Sequence, residues 1–84
     1  MTIQQKFAQL RAEEKEANLV KPIDVRSGCK VSWAIYEREE DARAKSKFAI
    51  REAELCEELG YDFGYMTPGN VRQLSNGHWE VVLP

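Results

Sequence analysis

Histidine occurs once in this 84-residue chain and cysteine twice, so the side chains from which most enzymes and structural metal sites are built are scarce. Common hydrolases and transferases need a base, usually histidine, within reach of a nucleophile, and His78 is the one candidate. It directly follows the turn pair Asn76-Gly77, where side chains are ordinarily solvated, and reads as a polar hairpin residue. A structural zinc site asks for about four Cys or His ligands at short spacing, whereas Cys29, Cys56 and His78 are widely separated. Two cysteines do not make a disulfide scaffold, and each falls on an apolar stripe where a free thiol serves as a small core residue. No segment approaches the ~18 consecutive apolar residues that span a bilayer, and MTIQQKFAQL has no signal-like apolar region. The glycines at 60, 64 and 69 are too irregular for a phosphate loop. These absences predict a cytoplasmic, non-enzymatic chain with free thiols, no membrane segment, no metal and no cofactor.

Charge of one sign is also lacking. Twelve basic residues against fourteen acidic ones give a net charge of -2, which offers no overall field for phosphates or anionic lipid. Recognition of single-stranded nucleic acid would call for basic and aromatic side chains interleaved on one sheet face. The C-terminal hairpin supplies only Arg72 beside Trp79, so nucleic acid is disfavoured as a partner and stands as an alternative.

What is present suffices for one hydrophobic core, with 43% hydrophobic and 31% charged residues. Residues 1–84 therefore form a single small domain, divided into a peripheral helix over 1–18 and a sheet-plus-helix core over 29–84. Thr2 and Gln5 have capping-box spacing, and Ile3, Phe7 and Leu10 recur at helical intervals, which predicts a helix over 3–17 ended by Asn18. Its second half is strongly polar, so its apolar side is narrow and free to dock on another subunit, giving a homo-oligomer. Residues 19–28 read as an extended connection. Alternation over 29–36 predicts a strand with Cys29, Val31, Trp33 and Ile35 pointing inward.

A long helix over about 41–59 follows, opened by the carboxylates of Glu37, Glu39, Glu40 and Asp41 and ended by Gly60. Ala42, Ala49, Ala53 and Cys56 form a small-residue stripe, flanked by Phe48, Leu55 and Leu59, and together they make one sheet-facing side. Glu52 and Lys45 fall between these stripes, at the edge of the sheet. Asn76-Gly77 between two apolar runs predicts a hairpin with a two-residue turn, placing Arg72 and Leu74 on the face of Trp79, Val81 and Leu83. The fold class is α+β: N-terminal helix, strand, long helix and C-terminal β-hairpin, with the long helix packed on a small antiparallel sheet. The expected core holds Trp33, Phe48, Leu55, Leu59, Trp79 and Val81.

The remaining chemistry is aromatic. Tyr61, Phe63 and Tyr65 alternate just before Met66 and the turn Thr67-Pro68-Gly69-Asn70. Phe63 suits the underside of the sheet, while tyrosine, methionine and arginine are side chains that interfaces favour. A protein-binding surface is therefore predicted at Tyr61, Tyr65, Met66 and Arg72. The acidic helix start, with Glu39 and Glu40, is a second surface, suited to a basic partner; without a glycine-containing loop of oxygen ligands it does not suit a cation.

The segment GYDFGYMTPGN, followed by a hairpin ending HWEVVLP on a tiny domain without a catalytic set, resembles the small accessory proteins of bacteriophages, including inhibitors of host defence of the anti-CRISPR kind. The resemblance implies binding and blocking of a host protein, and it transfers no residue. A small-molecule-binding oligomer is the further alternative.

Overall fold

Thr2 opens the first helix as its spacing to Gln5 predicts. Its hydroxyl accepts from the Gln5 amide at 3.2 Å, while the Gln5 side chain accepts from the Thr2 amide at 2.8 Å. In the computed structural model, which describes residues 1–84, this helix (α1) runs Ile3–Ala17 and ends at Asn18 in the left-handed conformation, φ 51°. Then come β1 (Asp24–Ser27), β2 (Ser32–Tyr36), α2 (Glu39–Glu58), β3 (Val71–Gln73) and β4 (Trp79–Leu83). The architecture is α+β, with a four-stranded antiparallel sheet in the order β1-β2-β4-β3.

β1 is the strand that sequence patterning missed. It pairs Asp24 with Ile35 through Ser27 with Ser32, and every one of its residues is exposed. An edge strand without an inward row has no alternation to read. Its presence shortens the strand predicted over 29–36: residues 28–31 turn the chain, with the Gly28 amide donating to the Val31 carbonyl at 2.8 Å. Cys29 thus lies exposed in this hairpin loop and does not point inward.

α2 begins at Arg38 without a side-chain cap, and Glu39, Glu40 and Asp41 complement the unpaired amides of its first turn. At its other end Gly60 takes φ 85°, its amide donating to the Glu57 carbonyl and that of Tyr61 to Cys56. This Schellman pair stops the helix and sends the chain back over the sheet. Ala42, Ser46, Ala49 and Ala53 are the buried residues of α2. Small side chains here let the helix axis lie close to the strands.

On β4 the predicted face is the one under α2, whereas on β2 the row predicted to point outward, Ala34 and Tyr36, lies there, although Val31 and Ile35 of the predicted inward row are buried as well. Ala34, Tyr36 and Val81 pack with Ala42, bordered by Val71, Trp79 and Leu83. Trp33, assigned to the core from sequence, lies on the opposite face and is only half-buried, its indole covering Gly28 so closely that a Cβ there would be 2.7 Å from Cζ3. Phe48 and Leu55 are half-buried and Trp79 likewise, while Leu59 is 64% exposed and belongs to no core. A second cluster, Val31, Ala53, Phe63 and Val82, fastens the chain after α2 to the domain. α1 touches α2 alone, burying Leu10 and adding ion pairs Lys6–Glu58, Arg51–Glu13 and Lys45–Glu14.

The hairpin is present but its register differs by one residue. Gln73 pairs with Trp79 and Arg72 with Glu80. A two-residue type I′ turn needs positive φ at both Asn76 and Gly77, yet only Gly77 has it, at 89°. The Gly77 amide donates to Leu74, and Leu74 in turn donates to His78, closing a three-residue loop with Gly77 in the left-handed position. Asn76 contributes through its side chain, accepting from the His78 amide at 3.0 Å. A one-residue slip moves every side chain to the other face, and so Arg72 stands beside Glu80 instead of Trp79.

Candidate functional site

The chain between α2 and β3 is held at both ends and presents its middle to solvent. The Gly69 amide donates to the Val82 carbonyl at 2.7 Å, and the Val82 amide donates to Asn70 at 3.0 Å. At Gly64, φ 66°, the amide donates to the Asp62 carboxylate at 2.8 Å in a side-chain-closed turn. Phe63 is buried between these fastenings, as expected. Tyr61 leans on it with ring centroids 4.9 Å apart and stays half exposed; Tyr65 is fully exposed and Met66 partly so.

Met66 is the wall between two concavities. One, of about 480 Å³, includes Glu57, Tyr61, Phe63 and Pro68. The other, of about 320 Å³, is formed by Trp33, Asn70, Arg72, Glu80 and Val82 with Met66. Three of the predicted binding residues, Tyr61, Met66 and Arg72, thus border one continuous relief, beside which Tyr65 projects. Trp33 is the member that sequence reasoning missed. The only available signal was Gly28, which leaves room for a large ring to lie across the hairpin loop.

The register slip also fixes the electrostatics of this relief. Arg72 Nε donates to Glu80 Oε1 at 2.9 Å, with the Glu80 side chain nearly buried and the Arg72 side chain 73% exposed. The carboxylate sits on the sheet and holds the guanidinium, whose outer edge remains open to a partner. α2 is the only helix touching the sheet, and it also meets the face bearing Trp33, Glu80, Val82 and Arg72, where Val82 shares a cluster with Ala53 and both Trp33 and Cys56 pack against it.

Glu39 and Glu40 are not part of this arrangement. Both are exposed, paired with Arg43 at 3.0 Å and Arg38 at 3.5 Å. They open α2, whose twenty residues extend roughly 30 Å before Tyr61 is reached. The two predicted surfaces therefore lie at opposite ends of the molecule.

The His78 ring has the Asn76 side chain as its one hydrogen-bonding neighbour, Nδ1 lying 3.3 Å from Nδ2. Cys56 is half-buried, and burial first, then Glu52 and Glu57, pushes its thiol up. No group of three or more His, Cys, Asp or Glu side chains is placed to hold a metal ion, and no helix is long and apolar enough to cross a membrane.

Glu52 is half-buried at the α1–α2 junction. Burial raises its pKa above the ordinary carboxylate value; Lys45 and Arg11 draw it back down and Glu14 adds to the rise. A carboxyl with a raised folded-state pKa destabilises the fold when ionised, and this penalty is relieved as pH falls through that pKa. Glu52→Gln should accordingly melt above the parent at neutral pH, with the difference shrinking as pH is lowered into the carboxylate range. Thermal unfolding across that range checks it; a variant less stable than the parent at neutral pH would show that the ion pairs outweigh the burial.

No protein-family model matches the chain, and neither curated proteins nor solved structures provide a match.

Proposed function

We propose that this domain is a non-enzymatic protein-binding module that acts in the cytoplasm by occupying and blocking a host protein, in the manner of small phage-encoded inhibitors such as anti-CRISPR proteins. The observation that supports this reading is the exposed loop carrying Tyr65 beside a relief bordered by Tyr61, Met66 and Arg72. Tyrosine and arginine carry a disproportionate share of interface energy, because rings can be desolvated while hydroxyl and guanidinium groups keep their hydrogen bonds. Truncating one true anchor costs at least ~2 kcal/mol, about thirtyfold in affinity.

Affinity capture from bacterial host lysate with the tagged protein tests the proposal. The expected result is a specific protein partner whose binding weakens about thirtyfold or more for Tyr65→Ala, a substitution at a fully exposed side chain. If Tyr61→Ala and Tyr65→Ala both capture the same partner undiminished, the surface is wrong and charge reversal at Glu39 and Glu40 is the next test. Capture of no protein at all would end the protein-binding reading. Single-stranded nucleic acid binding has one observation in its favour, that Trp33 and Arg72 line one concavity. A gel shift at low salt, where phosphate contacts are strongest, separates the two.

A further inference from the structure

A concavity of about 560 Å³, distinct from the Met66 relief, lies between the C-terminal end of α1, the 18–22 connector, α2 and the sheet. Its floor is apolar, with Val25, Ala34 and Leu83 contributed by β1, β2 and β4. Its rim carries Arg11, Lys15, Lys21 and Lys45 against one carboxylate, Glu14. In a chain whose net charge is -2 this is a local inversion of sign.

Part of that positive charge is already answered. Lys45 pairs with Glu14 at 2.8 Å, and Glu52 lies in the field of both Lys45 and Arg11. Lys15 and Lys21 take part in no ion pair. A smaller neighbouring concavity shares Lys21 and Tyr36 but adds Glu37 and Asp41 with only Arg38 beside them, so its charge does not favour an anion. The α1 side of Tyr36 is where an anion gains.

Tyr36 supplies the second, independent observation. The residue is 2% exposed and lines this groove, yet its hydroxyl makes no hydrogen bond within the chain. No fully enclosed side-chain polar atom lacks a partner, so the hydroxyl reaches a surface, and Tyr36 lines both this groove and the smaller one beside it. Burial, Glu14 and Asp41 together push the phenol up to about 12, and it remains a neutral donor at any physiological pH. A groove whose lining joins an unpartnered phenol donor and the unpaired Lys15 and Lys21 to an apolar floor complements an acceptor-bearing anion with an apolar body, and the two carboxylates that act on the phenol, Glu14 and Asp41, count against it.

We propose that this groove binds an organic carboxylate with an apolar tail, the head group held by Lys21 and Lys15 and hydrogen-bonded by the Tyr36 hydroxyl, the tail laid along Val25, Ala34 and Leu83. The volume suits a ligand of drug-like size, roughly ten to twenty heavy atoms.

Decanoate is a suitable probe and decyltrimethylammonium its opposite-charge counterpart, each kept below its micelle concentration and titrated into the full chain while backbone amide signals are followed by NMR. Decanoate is expected to move the signals of Val25, Ala34, Tyr36 and Leu83 saturably and to leave Met66 and Arg72 in place. Lys21→Glu, at an exposed position, and Tyr36→Phe, which keeps the ring, should each weaken binding about tenfold, the worth of one charge-assisted contact. Were Tyr36→Phe to lose its folded spectrum, Lys21→Glu carries the test alone. The proposal is overturned if decanoate produces no saturable shift at these residues, if decyltrimethylammonium binds there equally well, or if the folded variants bind decanoate as the parent does.

Discussion

Gly69→Ala is expected to cost this domain about 3 kcal/mol, a large share of the roughly 4 to 13 kcal/mol that a chain of this size has in total. Gly69 has φ 93°, a conformation in which any Cβ is strained, and the added methyl would overlap Ile50 Cγ1 on α2. Displacement is restricted from two sides, because the Ser46 hydroxyl donates to the Gly69 carbonyl while the Gly69 amide is held by Val82. Strain and overpacking therefore act together at the point where the helix meets the β3–β4 edge. Gly77→Ala provides the internal comparison: φ is 89°, but a methyl there meets nothing within 4 Å, and about 1 kcal/mol of conformational strain is all it should cost. Urea unfolding of both variants reads the difference as a shift in midpoint at constant slope. Equal losses would mean that Ile50 moves aside freely and that the helix is not closely seated here.

Val81→Ala should cost about 2 to 3 kcal/mol and lower the melting temperature by roughly 10 to 20 °C. Val81 has no exposed surface, lies opposite Ala34 and Val71, and is capped by Ala42. The alanines around it have no rotamers with which to fill the space, so the cavity persists and its lining loses dispersion contacts. Val25→Ala is the control: the side chain is 53% exposed on the edge strand, and its loss should stay within about 0.5 kcal/mol. A Val81→Ala domain that melts with the parent would place the core elsewhere.

Both effects arise from features that only partly show in the sequence. The helices were legible because their signals are local: Thr2 and Gln5 cap one, Gly60 ends the other, and the Ala42–Ala49–Ala53 stripe marks the buried side of α2. The hairpin was legible from Asn76-Gly77, but its register was not, since the choice between a two- and a three-residue loop depends on whether Asn76 adopts positive φ. That single dihedral decides whether Arg72 joins Trp79 or Glu80. The inward face of β2 was misread for a related reason. Bulk favours Trp33 for the core, whereas a closely approaching helix selects Ala34, and which strand face meets the helix is a tertiary fact that alternation alone leaves open. Of the residues expected to bind a partner, Tyr61, Tyr65, Met66 and Arg72 all lie on exposed surface, and Trp33, assigned to the core from sequence, borders the same concavity as Met66 and Arg72. The groove around Tyr36 left no trace in the sequence, since its walls come from both helices, the connector and three strands.

The strand order has a consequence for how the protein is made. The two central strands, β2 and β4, are adjacent in the sheet although residues 37–78 separate them along the chain. On a ribosome, β2 and α2 emerge before the strand that completes their cluster, with Val81 of β4, has been added. Local pieces such as α1 and the β1–β2 hairpin can form earlier, but the sheet centre closes in one late step. Any arrest of translation before Trp79 leaves Ala34, Tyr36 and Ala42 without Val81, their partner on β4, and open to other chains and to proteases.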